Sequence, residues 1–296
     1  MAENLIDLRR RIKSVKNTQK STKAMKTVSA AKLRRSVGEL NKTKPMMAKI
    51  AQLLNRVGNV SDIGAHPLLD KREEGAVILV VMAADKGLCG AFNSHILEKA
   101  EARFKQLVKT EGDDMVTLVT LGNKAFKYFS KRDYPVQKDY KSVMSRLTYN
   151  NALDLSTYLR ETYLDTKVPI KSIEFIYTQY LSAGRQEITG KQLFPIQSDW
   201  ESEETGSVDE NEYIFEPSAE ELFKALLPKY INSLVYQVLL QSSASEHAAR
   251  MIAMELATNN ASDMIRSLTL TMNKIRQASI TNEILEIITA TEALQK

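Results

Sequence analysis

The stretch Lys229–Lys296 reads KYINSLVYQVLLQSSASEHAARMIAMELATNNASDMIRSLTLTMNKIRQASITNEILEIITATEALQK and contains neither glycine nor proline. Nothing in it breaks a helix outright; Asn259-Asn260 is its weakest point by propensity. As one continuous helix it would be roughly 100 Å long at about 1.5 Å of rise per residue. A compact domain of this chain's size has a radius of gyration of only about 20 Å. Such a helix cannot be wrapped inside its own domain. It has to project, and its apolar residues then need a partner along their length.

The other end of the chain supplies a second helical pattern. Asn4, with Asp7 three residues on, has the layout of a helix start. Leu5, Leu8, Ile12, Val15, Gln19, Thr22 and Met25 follow at alternating spacings of three and four, a narrow coiled-coil seam that is partly polar. Val28, Leu33, Val37 and Leu40 continue it with a shift in phase. Pro45 is expected to kink this helix and Gly58 to stop it, giving one element over about 4–57.

Between the ends, Ala76–Met82 (AVILVVM) is a short, continuous, β-branched run of the kind buried in parallel sheets. A helix from about Ser94 to Lys109 follows, then a strand Met115–Leu121, Gly122 and a helix through Lys131. A helix from about Val143 to Leu164 precedes a third strand, Ser172–Leu181, and Gln186–Ile196 has the pattern of an added hairpin arm. Strands alternating with helices predict a three-layer, Rossmann-like α/β domain. The expected organisation is a helix over 1–58, a linker over 59–75, the α/β domain over 76–197, an acidic loop over 198–217 and a helix over 218–296. The loop Ser198–Glu216 holds eight acids and no base, and Ser218 with Glu221 has the spacing of a capping box.

The composition, 43% hydrophobic and 26% charged, is that of a folded globular chain. The longest apolar run, Ala76 to Ala84, is too short to span a bilayer, and the start lacks the layout of a signal peptide. One cysteine, Cys89, excludes an internal disulfide framework. His66, His95 and His247 are scattered without metal-ligand spacing. The net charge of +5 conceals an asymmetry: residues 1–44 hold 13 Lys or Arg against Glu3, Asp7 and Glu39. That excess points either to a solvated helix face or to acidic partners.

Two segments imitate phosphate sites. GLCGAFN (Gly87–Asn93) follows a strand, but it lacks the third glycine of a dinucleotide fingerprint and the acidic residue expected beyond it. Gly184–Gln192 has one residue too many for a phosphate loop and ends in Gln where Ser or Thr would hold magnesium. Cys89 has no histidine placed beside it as a base. The chain is therefore expected to hold no cofactor and no metal. A nucleotide-using α/β enzyme would need one of these fingerprints. A nucleic-acid-binding coiled coil would set its basic region ahead of the seam, whereas here the charges are interleaved with it.

If the terminal helices pack antiparallel and meet the α/β domain near 57 and 218, Met25 lies beside Arg250 and Met1 beside roughly Lys274. The last ~22 residues, about 33 Å of helix, then have no partner in the chain. Ile275, Ile280, Ile284, Leu285, Ile287, Ile288 and Leu294 cover much of their circumference. An apolar rod of that kind would aggregate in water, so a sleeve supplied by other subunits is expected.

Three segments carry a resemblance that covers essentially the whole chain. They are Ser14–Arg35 (SVKNTQKSTKAMKTVSAAKLRR), Asp85–Asn93 (DKGLCGAFN), and Ser245–Ile265 with Asn273–Ile287, of which the last pair is the most specific. The chain resembles the γ subunits of F-type ATP synthases. That family's fold is a shaft of N- and C-terminal helices carrying a Rossmann-like α/β domain at its foot.

The resemblance implies a non-catalytic subunit, one copy per complex, that turns as the central-stalk rotor inside a hexamer of α and β subunits. It would couple proton or sodium flow to ATP synthesis or hydrolysis at the β subunits and take part in regulating ATP hydrolysis. Its foot would bind the ε subunit and sit on the membrane c-ring, at the cytoplasmic face of the energy-coupling membrane, with no direct bilayer insertion and no nucleic acid. Met25 matches a shaft methionine close to the acidic lever of the β subunit, and Lys32, Arg34 and Arg35 match basic positions facing that lever. Arg276, Gln277, Thr281 and Glu283 match the upper contact with the β-subunit catch loop. Arg250, across from Met25 in the expected register, and Ile284 and Ile288 in the bearing complete the candidate partner contacts. Chloroplast members carry a redox-switch cysteine pair in an insertion; with Cys89 alone, this chain lacks it.

Overall fold

The structure, a computed structural model, describes residues 5–60, 66–196 and 216–294. Asn4 and nearly all of the acidic loop lie outside the described residues. Helix α1 spans Leu5–Val60 and helix α5 spans Ala219–Leu294, so the last helix runs through all the described residues of the glycine-free stretch. Both continue past their prolines, Pro45 and Pro228. Gly58 does not stop α1. At the start of α5, Ser218 Oγ accepts the Glu221 N–H at 3.2 Å, satisfying a donor the helix cannot.

Between these helices come β1 (Ala76–Met82), α2 (Phe92–Glu111), β2 (Val116–Leu121), α3 (Asn123–Ser130), β3 (Val136–Tyr140), α4 (Tyr149–Leu164), β4 (Ile170–Ser182) and β5 (Arg185–Phe194). The described residues divide into two compact units, 1–29 with 250–296 and 30–249. The fold thus comprises an N-terminal helix, a central, mostly parallel sheet and a C-terminal helix.

In the unit 30–249 the sheet order is β3-β2-β1-β4-β5, parallel from β3 to β4, with β5 antiparallel at the edge. β1 is buried along its whole length because both faces are covered. Its Ile78, Val80 and Met82 pack with Ile50, Leu54 and Val57 of α1, Leu155 and Leu159 of α4, and Phe223 to Leu239 of α5. Its Val77, Leu79 and Val81 pack with Ile96, Ala100 and Phe104 of α2 and Phe129 of α3. Strict alternation across a pleated strand explains the uninterrupted apolar run. Each such side chain contributes about 1.5–3 kcal/mol of burial.

Three expectations change. β3 was not foreseen, because VQKDY is an edge strand with one buried residue, Tyr140, and shows no apolar alternation. The helix expected from Val143 begins only at Tyr149. The side-chain oxygen of Asn151 accepts from both the backbone N–H and the hydroxyl of Thr148, which closes the capping box and fixes the start there. Gly184–Gln192, the phosphate-loop imitation, is a hairpin turn running into β5, an extended strand and not a strand-to-helix loop.

Gly122 makes the closest backbone approach. Its φ is +89°, and a Cβ there would lie 2.1 Å from the carbonyl oxygen of Ala83. Gly122→Ala is expected to cost at least about 3 kcal/mol, from left-handed strain and backbone overlap together. Urea denaturation of the purified chain measures it; a variant within about 1 kcal/mol of the unmodified chain would contradict this account.

Candidate functional site

In the unit of residues 1–29 and 250–296, α1 and α5 pack antiparallel through a polar seam. Gln19 Nε2 donates to Ser262 Oγ at 2.7 Å, the Thr22 and Thr258 hydroxyls are 2.8 Å apart, and Lys26 Nζ meets Glu255 Oε1 at 2.6 Å. These pairs sit five to six residues farther along α5 than the expected register, which placed Met25 beside Arg250. The helix ends account for four of those residues: α1 runs on to Val60 instead of stopping near 57, and α5 starts at Ala219 instead of 218. The correction moves Arg250 out of register with Met25 by about 8 Å of helix rise.

The phase shift expected near Met25 is also absent. The positions turned inward along α1 are Leu8, Ile12, Val15, Gln19, Thr22, Lys26, Ser29, Leu33, Ser36 and Leu40, and they keep the three–four spacing throughout. Met25 and Val28 lie beside this seam and are 43% and 57% exposed. Apolarity misassigned them: Lys26, held by Glu255, and the small Ser29 occupy the inward positions instead.

This register has a direct test. Thr22→Cys with Thr258→Cys should close to a disulfide under mild oxidation, since the two hydroxyls already sit at 2.8 Å. Met25→Cys with Arg250→Cys should not. Rapid oxidation of the second pair and none of the first, read by non-reducing electrophoresis, would restore the original register. Cys89 is buried, which keeps it out of the assay.

The far part of α5 is the other feature of this unit. Every residue from Ile280 to Thr291 is exposed. Ile280, Ile284, Leu285, Ile287 and Ile288 are 48–65% exposed. Arg276, Gln277, Thr281 and Glu283 are exposed beside them, and the Thr281 hydroxyl donates to the Gln277 carbonyl at 3.0 Å. Ile275, expected in the unpartnered overhang, is half-buried.

In the other unit, Lys32, Arg34 and Arg35 are all exposed on α1. Burial pushes the Tyr236 phenol above its ordinary range; Glu39 acts the same way, while Arg35 and Lys42 oppose it. Met25, Arg250 and the far part of α5 thus belong to one unit, and the basic trio to the other.

The turn after β1 does local structural work. The buried carboxylate of Asp85 accepts four hydrogen bonds: from the backbone N–H groups of Asn123, Ser142 and Ser145 at 3.1, 3.1 and 2.7 Å, and from the Ser145 hydroxyl at 2.7 Å. One side chain therefore gathers the chain ends that follow β1, β2 and β3. Asn93 accepts the Ala84 N–H at 3.0 Å and donates to Cys89 Sγ at 3.1 Å. Cys89 packs with Ala84, Phe92 and Ala249. The first and last residues of DKGLCGAFN are thereby tied into the protein's own framework. Sequence reasoning weighed its glycines and cysteine as site chemistry and overlooked Asp85, whose signal was a lone acid directly after a buried strand.

No helix among the described residues is long and apolar enough to cross a membrane. Among them, no cluster of His, Cys, Asp and Glu has the arrangement of a metal site.

Comparison with known proteins matches residues 4–294 to the family model described as ATP synthase. The chain is 40% identical over 292 residues to the ATP synthase gamma chain of Pelotomaculum thermopropionicum, covering 99% of each. It is also 40% identical over 292 residues to that of Geobacter metallireducens, again covering 99% of each. Among solved structures it is similar to a chain of the Euglena gracilis mitochondrial ATP synthase, with a TM-score of 0.63 and 20% identity over 98% of this chain and 94% of that one. A chain of the central stalk and c-ring structure from Tetrahymena thermophila gives 0.58 and 21%, over 80% and 98%.

Proposed function

The chain belongs to the γ-chain family of ATP synthases, and on that premise we propose that it is the rotor of the central stalk. It turns inside a hexamer of α and β subunits and couples ion flow through the membrane c-ring to ATP synthesis or hydrolysis at the β subunits. The observation that carries this reading is the exposed run Ile280–Thr291, with five large aliphatic side chains in water. At about 25 cal/mol per Å2, covering such a surface yields several kcal/mol. Ile280, Ile284, Ile287 and Ile288 form one apolar face with Leu285 beside it, and the whole circumference of the run is exposed, so a bearing of surrounding subunits has room to cover it all round.

On this reading the chain carries out no chemistry itself. The three β sites are alike, and an asymmetric shaft presents a different face to each. Each orientation favours a different open or closed state of the site, so rotation shifts the affinities in turn and thereby also sets the rate of ATP hydrolysis. Arg276, Gln277, Thr281 and Glu283 offer polar handles to a β subunit, with Ile284 and Ile288 in the bearing. Met25, exposed beside the seam, and Arg250, Lys32, Arg34 and Arg35 face the acidic surface of the β subunits. The charge of Arg250, Lys32, Arg34 and Arg35 complements such a surface. The α/β unit carries the contacts to the ε subunit and the c-ring, on the cytoplasmic face of the membrane, without entering the bilayer.

The test is native purification of the tagged full-length chain from its own cells, with identification of the co-purifying proteins. Recovery of α, β and ε subunits together with c-ring supports the reading; recovery of the chain alone, with assembled ATP synthase lacking it, refutes it.

A further inference from the structure

β4 is longer than the strand it pairs with. β1 pairs with β4 only as far as Val81 opposite Ile176, whereas β5 stays paired on the other side out to Ser182. From Tyr177 onward, the edge of β4 on the β1 side has no strand beside it. An unpaired strand edge there would leave backbone donors and acceptors unsatisfied.

Helix α5 fills that place. The Tyr180 N–H donates to Gln241 Oε1 at 3.0 Å, and Ser245 Oγ donates to the Thr178 carbonyl at 3.0 Å. One side chain accepts and the other donates, which is what a neighbouring strand would offer to residues two apart. The spacings also match: two residues of strand span about 6.6 Å and four residues of helix about 6 Å. Ala244 and Ala248 are fully buried, small enough to let the helix come this close, and Ser245 is fully buried with them. All of these residues belong to the unit 30–249.

We propose that Gln241 and Ser245 form a clasp that fixes both the slide and the axial rotation of α5 against the sheet, as positioning residues for transmitting torque. Two bonds on one helix face, a full turn apart, oppose rotation about the helix axis; apolar packing on the same face is smoother and resists it less. This role rests on the rotor reading above, whereas the clasp geometry does not.

The two are tested separately. In the isolated full-length chain, Gln241→Leu should speed hydrogen exchange of the Tyr180 amide about tenfold, the factor that about 1.4 kcal/mol gives. Gln241→Glu keeps an acceptor oxygen and should restore protection. Unchanged exchange in Gln241→Leu overturns the clasp. In the purified complex with α and β subunits, a bead on the sheet unit reports the spread of dwell angles about the fixed hexamer. Gln241→Leu with Ser245→Ala should widen that spread while ATP hydrolysis continues, and Gln241→Glu should not. If the double variant does not assemble, Gln241→Leu alone is measured. A spread equal to that of the unmodified complex, with Tyr180 exchange raised, overturns the torque role and leaves the rotor reading standing. If the unmodified chain forms no complex, the rotor reading falls and takes the torque role with it.

Discussion

An Asp85→Ala chain is expected to lose about 3–5 kcal/mol of folding stability. The carboxylate, which follows β1, is buried and accepts four hydrogen bonds from residues that follow β2 and β3. Removing it takes the acceptor from the partly buried N–H groups of Asn123, Ser142 and Ser145, and a donor left unsatisfied costs about 1–3 kcal/mol, least where water replaces the carboxylate. Charge-assisted bonds lie at the upper end of that range. Asp85→Asn is a sharper probe, because the amide keeps one acceptor oxygen and turns an NH2 group toward the partners of the other. Its Oδ2 partners are the Ser145 N–H and hydroxyl at 2.7 Å. The hydroxyl can turn to accept, but the N–H cannot, so Asn is expected to lose part of the stability that Ala loses. Urea denaturation followed by circular dichroism measures both. A loss within about 1 kcal/mol for Ala would mean that the loops hold one another without the carboxylate.

The second large effect concerns the far part of α5. Replacing Arg276 and Gln277 together with Leu preserves helix propensity and removes the polar handles ahead of the apolar run. In a bearing, hydrogen bonds from these groups are partly desolvated and worth more than in water. Two such bonds at about 1.5 kcal/mol or more each correspond to a fall of about a hundredfold or more in ATP synthesis and hydrolysis. The complex should still assemble, since Ile280, Ile284, Leu285, Ile287 and Ile288 remain to fill the bearing. Were the two side chains simply solvated, the change would lie within about 0.5 kcal/mol and activity would stay near its original level. Removing residues 287–296 should be milder for activity. In the isolated chain it should relieve aggregation, because Ile287 is the most exposed aliphatic residue of the run at 65%. A monodisperse full-length chain, with the amides of 280–291 protected from exchange in the absence of partners, would remove the case for a sleeve.

Most of the elements, though not β3 or the start of α4, were legible in single segments. A stretch free of glycine and proline could only be one long helix, and α5 runs through it. AVILVVM could only be a strand covered on both faces, and β1 is. The exposed isoleucines beyond 280 followed from counting how far the first helix can reach. These are properties of a single segment and its length, which propensity and periodicity measure directly.

What depends on two segments at once could be read only from their packing. The register of α1 against α5 depends on both segments, and the two misplaced ends account for four of the five to six residues by which every partner moved. Lys26 and Ser29 took seam positions ahead of Met25 and Val28 because Glu255 on the other helix pairs with the lysine, and a seam scored by apolarity cannot register that partner. The Gln241–Ser245 pair was invisible for the same reason, and Asp85 showed only as a lone acid after a buried strand, with its partners out of view. A polar side chain is read from sequence as solvated, and only the backbone groups brought to it from distant strands make its burial favourable.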